Sequence, residues 1–241
     1  MMFPMWGPLS MYQLMTTVGF AVSACYMFWA LSAIPSIRKR DLLLVLIGGY
    51  FASKYGGALI PYLYRTTQEN WHGRYLSAGR YFHSAFLAVL LYGMLAAKLL
   101  RWPVRKCMDH YAIAAMIMSP IGRIGCFLRG CCRGKPCDLP WAITFPDAPG
   151  VRVHPTQLYM LGAELLILWT LLRLQKRPHY DGQTAWTAVW LYSIYRIWIE
   201  TIRINAVIFW GLTYAQMLSI VTLVISSCIL MVGRSKHRPA A

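Results

Sequence analysis

An arginine set between two glycines, Gly122-Arg123-Ile124-Gly125, opens the most chemically loaded stretch of this chain. Glycine admits left-handed backbone and close approach of a ligand. A guanidinium stays charged and offers a fixed fork of donors, which suits phosphate. The spacing places this tetrapeptide at a helix end. The stretch closes at His154-Pro155-Thr156-Gln157-Leu158-Tyr159, which reads as a helix entry: Pro155 suits the first turn, and Thr156 and Gln157 either satisfy backbone groups or face a site. Further on, Arg196, Glu200 and Arg203 recur at i, i+4 and i+7, one stripe of a helix. They either face a wet cavity or form a structural Arg–Glu–Arg network. His83, in Arg80-Tyr81-Phe82-His83-Ser84, titrates near neutrality and can act as a general base toward a thiol. It has a structural alternative too, a buried and hydrogen-bonded imidazole, as does His154.

Four of the seven cysteines, Cys126, Cys131, Cys132 and Cys137, lie between these motifs together with Gly130 and Gly134. Their spacing does not match the C-x2-C pairing of zinc sites. Disulfides pinning a loop outside the cytoplasm, a redox or metal site, and simple packing all stay open. Cys25, Cys107 and Cys228 read as packing residues. No metal or cofactor is expected.

Apolar segments must position these groups. The 241 residues are 58% hydrophobic and 13% charged, about half the charge of a soluble domain. The pattern predicts an all-α polytopic membrane protein, a single domain over 1–241. Seven spans are expected, near 10–33, 42–63, 80–100, 107–122, 156–174, 183–204 and 211–232. The first apolar segment does not read as a positively charged leader with a cleavage site, so it is expected to be retained as a span. The net charge of +16 fits orientation signals, anionic lipid and an anionic substrate rather than nucleic acid.

Arg38-Lys39-Arg40, Arg101 with Arg105 and Lys106, Lys176 with Arg177, and Arg234 with Lys236 and Arg238 all fall on one side of such a bundle. That side is expected to be cytoplasmic, with the N-terminus out and the C-terminus in. Arg65, Arg74, Arg80 and the run from Arg123 to Arg152 fall on the other side, either as functional exceptions or because the number of spans differs from seven. His83, Arg123, His154, Gln157, Arg196, Glu200 and Arg203 then converge on the extracytoplasmic face, beside a Gly/Cys-rich loop.

The ordered series of His83, Gly122-Arg123-Ile124-Gly125, Gly134, His154-Pro155-Thr156-Gln157-Leu158-Tyr159 and Arg196-x3-Glu200-x2-Arg203 resembles the bacterial prolipoprotein diacylglyceryl transferases. The resemblance spans most of the chain and includes the seven-helix layout. It implies an enzyme of the bacterial inner membrane that takes diacylglyceryl from phosphatidylglycerol. The acceptor it implies is a lipobox cysteine thiol of a prolipoprotein; a thioether forms and glycerol phosphate leaves. His83, Arg123 and Arg196 are the implied catalytic residues. Gly122, Gly125, Gly134, His154, Gln157, Tyr159, Glu200 and Arg203 are the implied substrate-binding residues.

The chain departs from the family pattern at four places. Cys126 stands where the family has asparagine, Cys131 where it has glutamate, Ser84-Ala85 where it has two glycines, and Met160 where it has glutamate. The alternatives are a lipid-using transferase with another acceptor, or a non-catalytic redox or metal-handling membrane protein working through the cysteine loop.

Overall fold

A computed structural model describes residues 11–68, 82–205 and 207–236. Among these the chain forms seven α-helices: α1 (Met11–Ser32), α2 (Lys39–Gln68), α3 (Phe82–Leu99), α4 (Val104–Arg129), α5 (Thr156–Gln175), α6 (Gln183–Ile202) and α7 (Tyr214–Lys236). Two short antiparallel pairs join them, β1 (Ile143–Thr144) with β2 (Arg152–Val153) and β3 (Val207–Phe209) with β4 (Leu212–Thr213). Among the described residues five helices are long and apolar enough to cross a membrane: α1, α2, α4, α5 and α7. The apolar part of α3 is shorter, Leu87–Leu99, and α6 carries Arg196 and Glu200 in its last two turns. The chain is a multi-pass membrane protein.

One expectation is corrected here. The fourth helix does not stop at residue 122 but runs on to Arg129. Gly122-Arg123-Ile124-Gly125 is therefore helical rather than a turn, and neither glycine is in the left-handed region.

The described residues divide into two compact units. In the unit of Met27–Met108, Leu31, Ile37, Leu42, Ala97 and Trp102 form the core. Its helices α2 and α3 meet so closely at Gly48 that a Cβ there would stand 2.0 Å from the Tyr92 hydroxyl. In the other unit the core joins three helices: Ile113 and Met116 of α4, Met160, Ile167 and Leu171 of α5, and Ala188, Tyr195 and Ile199 of α6. Helix α7 is tied to α6 by Ser193–Thr222 (2.8 Å) and Trp190–Ser227 (3.0 Å) hydrogen bonds.

The sidedness of α5 reveals its solvent. Thr156, Gln157 and Glu164 are buried, whereas Leu165, Leu166 and Trp169 are exposed. Met160, Ile167 and Leu171 share the buried side, so polar groups turn inward with the core while the outward face is apolar, the arrangement a lipid surround favours.

The entry of α6 is fixed from outside the helix. Gly182 at its N-cap sits at φ 95° and offers no side chain. Asp109, reaching from α4, accepts the Gly182 N–H at 2.7 Å and the Ala185 N–H at 2.8 Å. A helix start leaves such N–H groups without intrahelical partners, and a carboxylate there also meets the positive end of the dipole. Asp109→Ala is expected to cost about 1–3 kcal/mol by stranding buried donors, read as a lowered thermal midpoint of the detergent-solubilised protein.

Candidate functional site

Glu164 is the carboxylate around which the first half of the site is built. It sits in the middle of α5 with its side chain wholly buried. Arg123 of α4 grips it with two donors, Nε and Nη2, each 3.0 Å from Oε1. Tyr195 of α6 donates its hydroxyl to the same oxygen at 2.8 Å. A carboxylate buried in an apolar bundle loses its hydration, and here a guanidinium and a hydroxyl donor stand in its place. Gly125, one turn beyond Gly122, lets α4 approach α1; a Cβ there would lie 3.0 Å from the Met15 Cβ and 3.2 Å from the Tyr12 Cα. A Cβ at Gly122 would meet open space.

The second half is centred on Glu200 of α6. Arg196 Nη2 lies 2.8 Å from its Oε1, and Arg203 Nη1 lies 3.6 Å from the same atom. Its other oxygen accepts from Asn205 Nδ2 and, at 3.1 Å, from the Thr213 hydroxyl. Thr213 is set by a capping box at the start of α7, in which Gln216 N–H donates to Thr213 Oγ1 and Thr213 N–H donates to Gln216 Oε1. A cavity of about 420 Å³ opens here, lined by Lys135, Glu200, Arg203, Asn205, Thr213 and Gln216 among others. Lys135 and Arg203 bring two cations to it against the single Glu200 carboxylate.

The loop from Gly130 to Pro155 is stitched to both halves. Gly134 N–H donates to the His154 carbonyl at 3.1 Å and Lys135 N–H to the Ile202 carbonyl at 2.8 Å. Gly134 has no room for a side chain: a Cβ would stand 2.6 Å from the His154 Cβ and 2.8 Å from both the Ile202 carbonyl and Thr156 Cγ2. Thr156 Oγ1 and Gln157 Nε2 donate to the carbonyls of Cys132 and Cys131, each at 2.6 Å. Arg133 pairs with Asp147, donates to the Gly130 carbonyl and lies over the buried Phe145 ring. The hydrogen bond from Arg133 holds the Asp147 carboxyl below its ordinary range. His154 Nδ1 and the Tyr159 hydroxyl are 3.4 Å apart, and Trp141 Nε1 donates to that hydroxyl at 2.7 Å.

Cys126, Cys131 and Cys132 come together with all three sulfurs within 4.8 Å of one another, and none is in a disulfide. The Cys132 thiol is held below the ordinary thiol range by hydrogen bonds from Cys126 and Cys131, then by the charges of Arg203 and Arg123. Cys132 thus lies in the fields of both halves of the site.

The structure therefore joins Arg123, Gln157, Gly134, His154, Glu200, Arg203 and Arg196 through one loop and three helices. His83 falls in the first turn of α3, and its side chain is outside the described residues, as are Arg74 and Arg80. Sequence reasoning missed Glu164, Tyr195, Asn205 and Thr213. Glu164 carried a readable signal, the lone carboxylate in the apolar middle of a 20-residue helix. Thr213-x-x-Gln216 was legible as a capping box.

Known proteins bear on this geometry. Residues 1–232 match the family model described as prolipoprotein diacylglyceryl transferase. The phosphatidylglycerol–prolipoprotein diacylglyceryl transferase of Clostridium tetani is 30% identical over 132 residues, 53% of each chain. That of Geobacter sulfurreducens is 33% identical over 134 residues, 55% of this chain and 50% of the relative. That of Wolbachia pipientis is 28% identical over 236 residues, 89% of this chain and 87% of the relative. The matched region spans about half the length of the first two relatives.

Two substitutions separate the weight of the ion pair from that of the hydrogen bond. Glu164→Ala leaves Arg123, whose side chain is 14% exposed, without its counter-charge, and is expected to cost about 3–5 kcal/mol. Tyr195→Phe removes one hydrogen bond and is expected to cost about 0.5–1.5 kcal/mol. Thermal unfolding of both variants in the same detergent checks the ordering.

Proposed function

Since the chain belongs to the prolipoprotein diacylglyceryl transferase family, we propose that it transfers the diacylglyceryl group of phosphatidylglycerol to a cysteine thiol in the lipobox segment of a prolipoprotein. The observation that carries this reading is the pair of buried arginine–glutamate clusters, Arg123–Glu164 and Arg196–Glu200–Arg203, on either side of the cysteine loop of a multi-pass membrane protein.

The chemistry asks for that arrangement. The acceptor S–H bond breaks, a sulfur–carbon bond forms at the glyceryl carbon, and the carbon–oxygen bond to phosphate breaks. The leaving phosphodiester becomes a phosphomonoester and gains a negative charge. Donors already aimed at the developing charge lower the barrier without reorganising, and guanidinium forks match phosphate oxygens. In this reading Arg123 and Arg196 take the phosphate. Glu164 and Glu200 hold the two guanidiniums in place. His83 accepts the thiol proton.

Arg203 and Glu200 extend the headgroup site, into whose cavity Lys135 also brings its charge. Gly134, His154, Gln157 and Tyr159 seat the loop over the headgroup, and Gly122 and Gly125 keep the backbone beside Arg123 slim. We further read 1–241 as a single transferase domain of seven spans with the N-terminus out. The site then opens toward the extracytoplasmic face of the bacterial inner membrane, where membrane lipids supply the donor.

The test uses purified full-length protein in phosphatidylglycerol vesicles, with glyceryl-labelled lipid and a lipobox peptide, and mass spectrometry of the product. A thioether carrying the label is expected. Arg196→Ala, and Arg123→Lys (which retains a charge for Glu164), are each expected to slow transfer by about 10²-fold or more with helical circular dichroism intact. Transfer at the wild-type rate by both folded variants overturns the assignment of the arginines.

A further inference from the structure

We propose that Cys126, Cys131 and Cys132 form a binding site for one thiophilic divalent cation of the Zn²⁺ class, held as three thiolates. Its role is to staple the end of α4 to the loop that follows.

The three sulfurs already lie within 4.8 Å of one another. Tetrahedral zinc with Zn–S bonds of about 2.3 Å needs sulfurs about 3.8 Å apart. The difference amounts to at most about 1 Å in any sulfur–sulfur separation. Binding breaks three S–H bonds, forms three metal–sulfur bonds and releases three protons to solvent. The site carries one net negative charge when loaded, offset by the neighbouring Arg123 and Arg203.

The backbone that presents the sulfurs is fixed from outside. Cys126 belongs to α4 and is buried. Cys131 and Cys132 have their carbonyls held by Gln157 and Thr156 of α5. Cys132 stands at φ 61°, a left-handed conformation that a non-glycine residue adopts only when its surroundings impose it. The effect is to hold adjacent residues in a cluster with a sulfur from the preceding helix, where a regular extended chain would point them apart.

Gln157 supplies an independent observation. Its side chain is wholly buried, its Nε2 is on the Cys131 carbonyl, and its Oε1 has no hydrogen-bond partner. An orphaned buried carbonyl oxygen, on a side chain already bonded to the backbone of Cys131, is the kind of acceptor that a metal-bound water in the fourth position would satisfy. The sequence spacing supports a metal reading only weakly, because the ligands come from a helix end and a left-handed turn rather than from a C-x2-C knuckle. Cys137 stands outside the cluster.

The experiment loads reduced full-length protein in detergent with Zn²⁺ or Co²⁺, removes excess metal by gel filtration, and maps which cysteines the metal protects from alkylation by mass spectrometry. One equivalent of metal per chain is expected, with thiolate-to-Co²⁺ charge-transfer absorption. Cys126, Cys131 and Cys132 should be protected while Cys137 stays reactive. Zinc should raise the thermal midpoint of wild-type and Cys137→Ser protein but not of Cys131→Ser. Alkylation mapping needs only the wild-type chain, so it decides the matter even where a serine variant fails to fold. Failure to retain metal, unchanged labelling of the three cysteines, or metal retained by the triple Cys126→Ser/Cys131→Ser/Cys132→Ser variant overturns the proposal.

Discussion

Two carboxylates with no exposed side-chain surface, Glu164 and Glu200, set the terms for the rest of this bundle. An ionised carboxylate taken out of water costs several kcal/mol unless a counter-charge and hydrogen bonds replace its hydration. Each of these two is met by arginine and by hydroxyl or amide donors from other positions. The helices that supply those partners must be held in register, so α4, α5 and α6 are coupled through Glu164. Glu200 ties the end of α6 to the turn that begins α7. Apolar packing joins the same helices, but in a lipid setting it discriminates poorly between one helix face and another. The polar contacts supply the discrimination.

The same constraint prepares the arginines for a ligand. Arg123 presents Nε and Nη2 to Glu164 on one edge of its fork, which fixes the plane of the guanidinium and leaves Nη1 uncommitted to that carboxylate. A side chain that has already given up its rotamers to a buried partner loses little more on meeting phosphate. The ion pairs therefore orient donors at least as much as they stabilise the fold. The loop at Gly134 adds to this by lying against Ile202 and Thr156 with no space for a Cβ, so the two arginine clusters are spanned by one short, well-seated segment.

Much of this was legible from residue types alone. Long apolar runs predicted helices at the right places, because backbone groups have no alternative partner in lipid. The Arg196–Glu200–Arg203 stripe followed from helical spacing. Gln157 and His154 stand near each other in the sequence and at one helix entry, whereas Gly134 was singled out only by the family resemblance. The end of α4 was misjudged because glycine pairs usually mark a turn, whereas here Gly125 serves close packing against α1. Glu164 was passed over because its partners, Arg123 and Tyr195, lie 41 and 31 residues away, and no local pattern reports such a contact. The three-thiol cluster was hidden for a related reason: a single left-handed residue, Cys132, turns the chain back on itself.

A structure of the protein with phosphatidylglycerol bound would speak to the arrangement most plainly. Phosphate oxygens should lie within about 2.7–2.9 Å of guanidinium nitrogens from both Arg123 and Arg196, with Glu164 and Glu200 still paired behind them. A lipid phosphate seated elsewhere, with the two arginines directed into separate regions of the bundle, would contradict it.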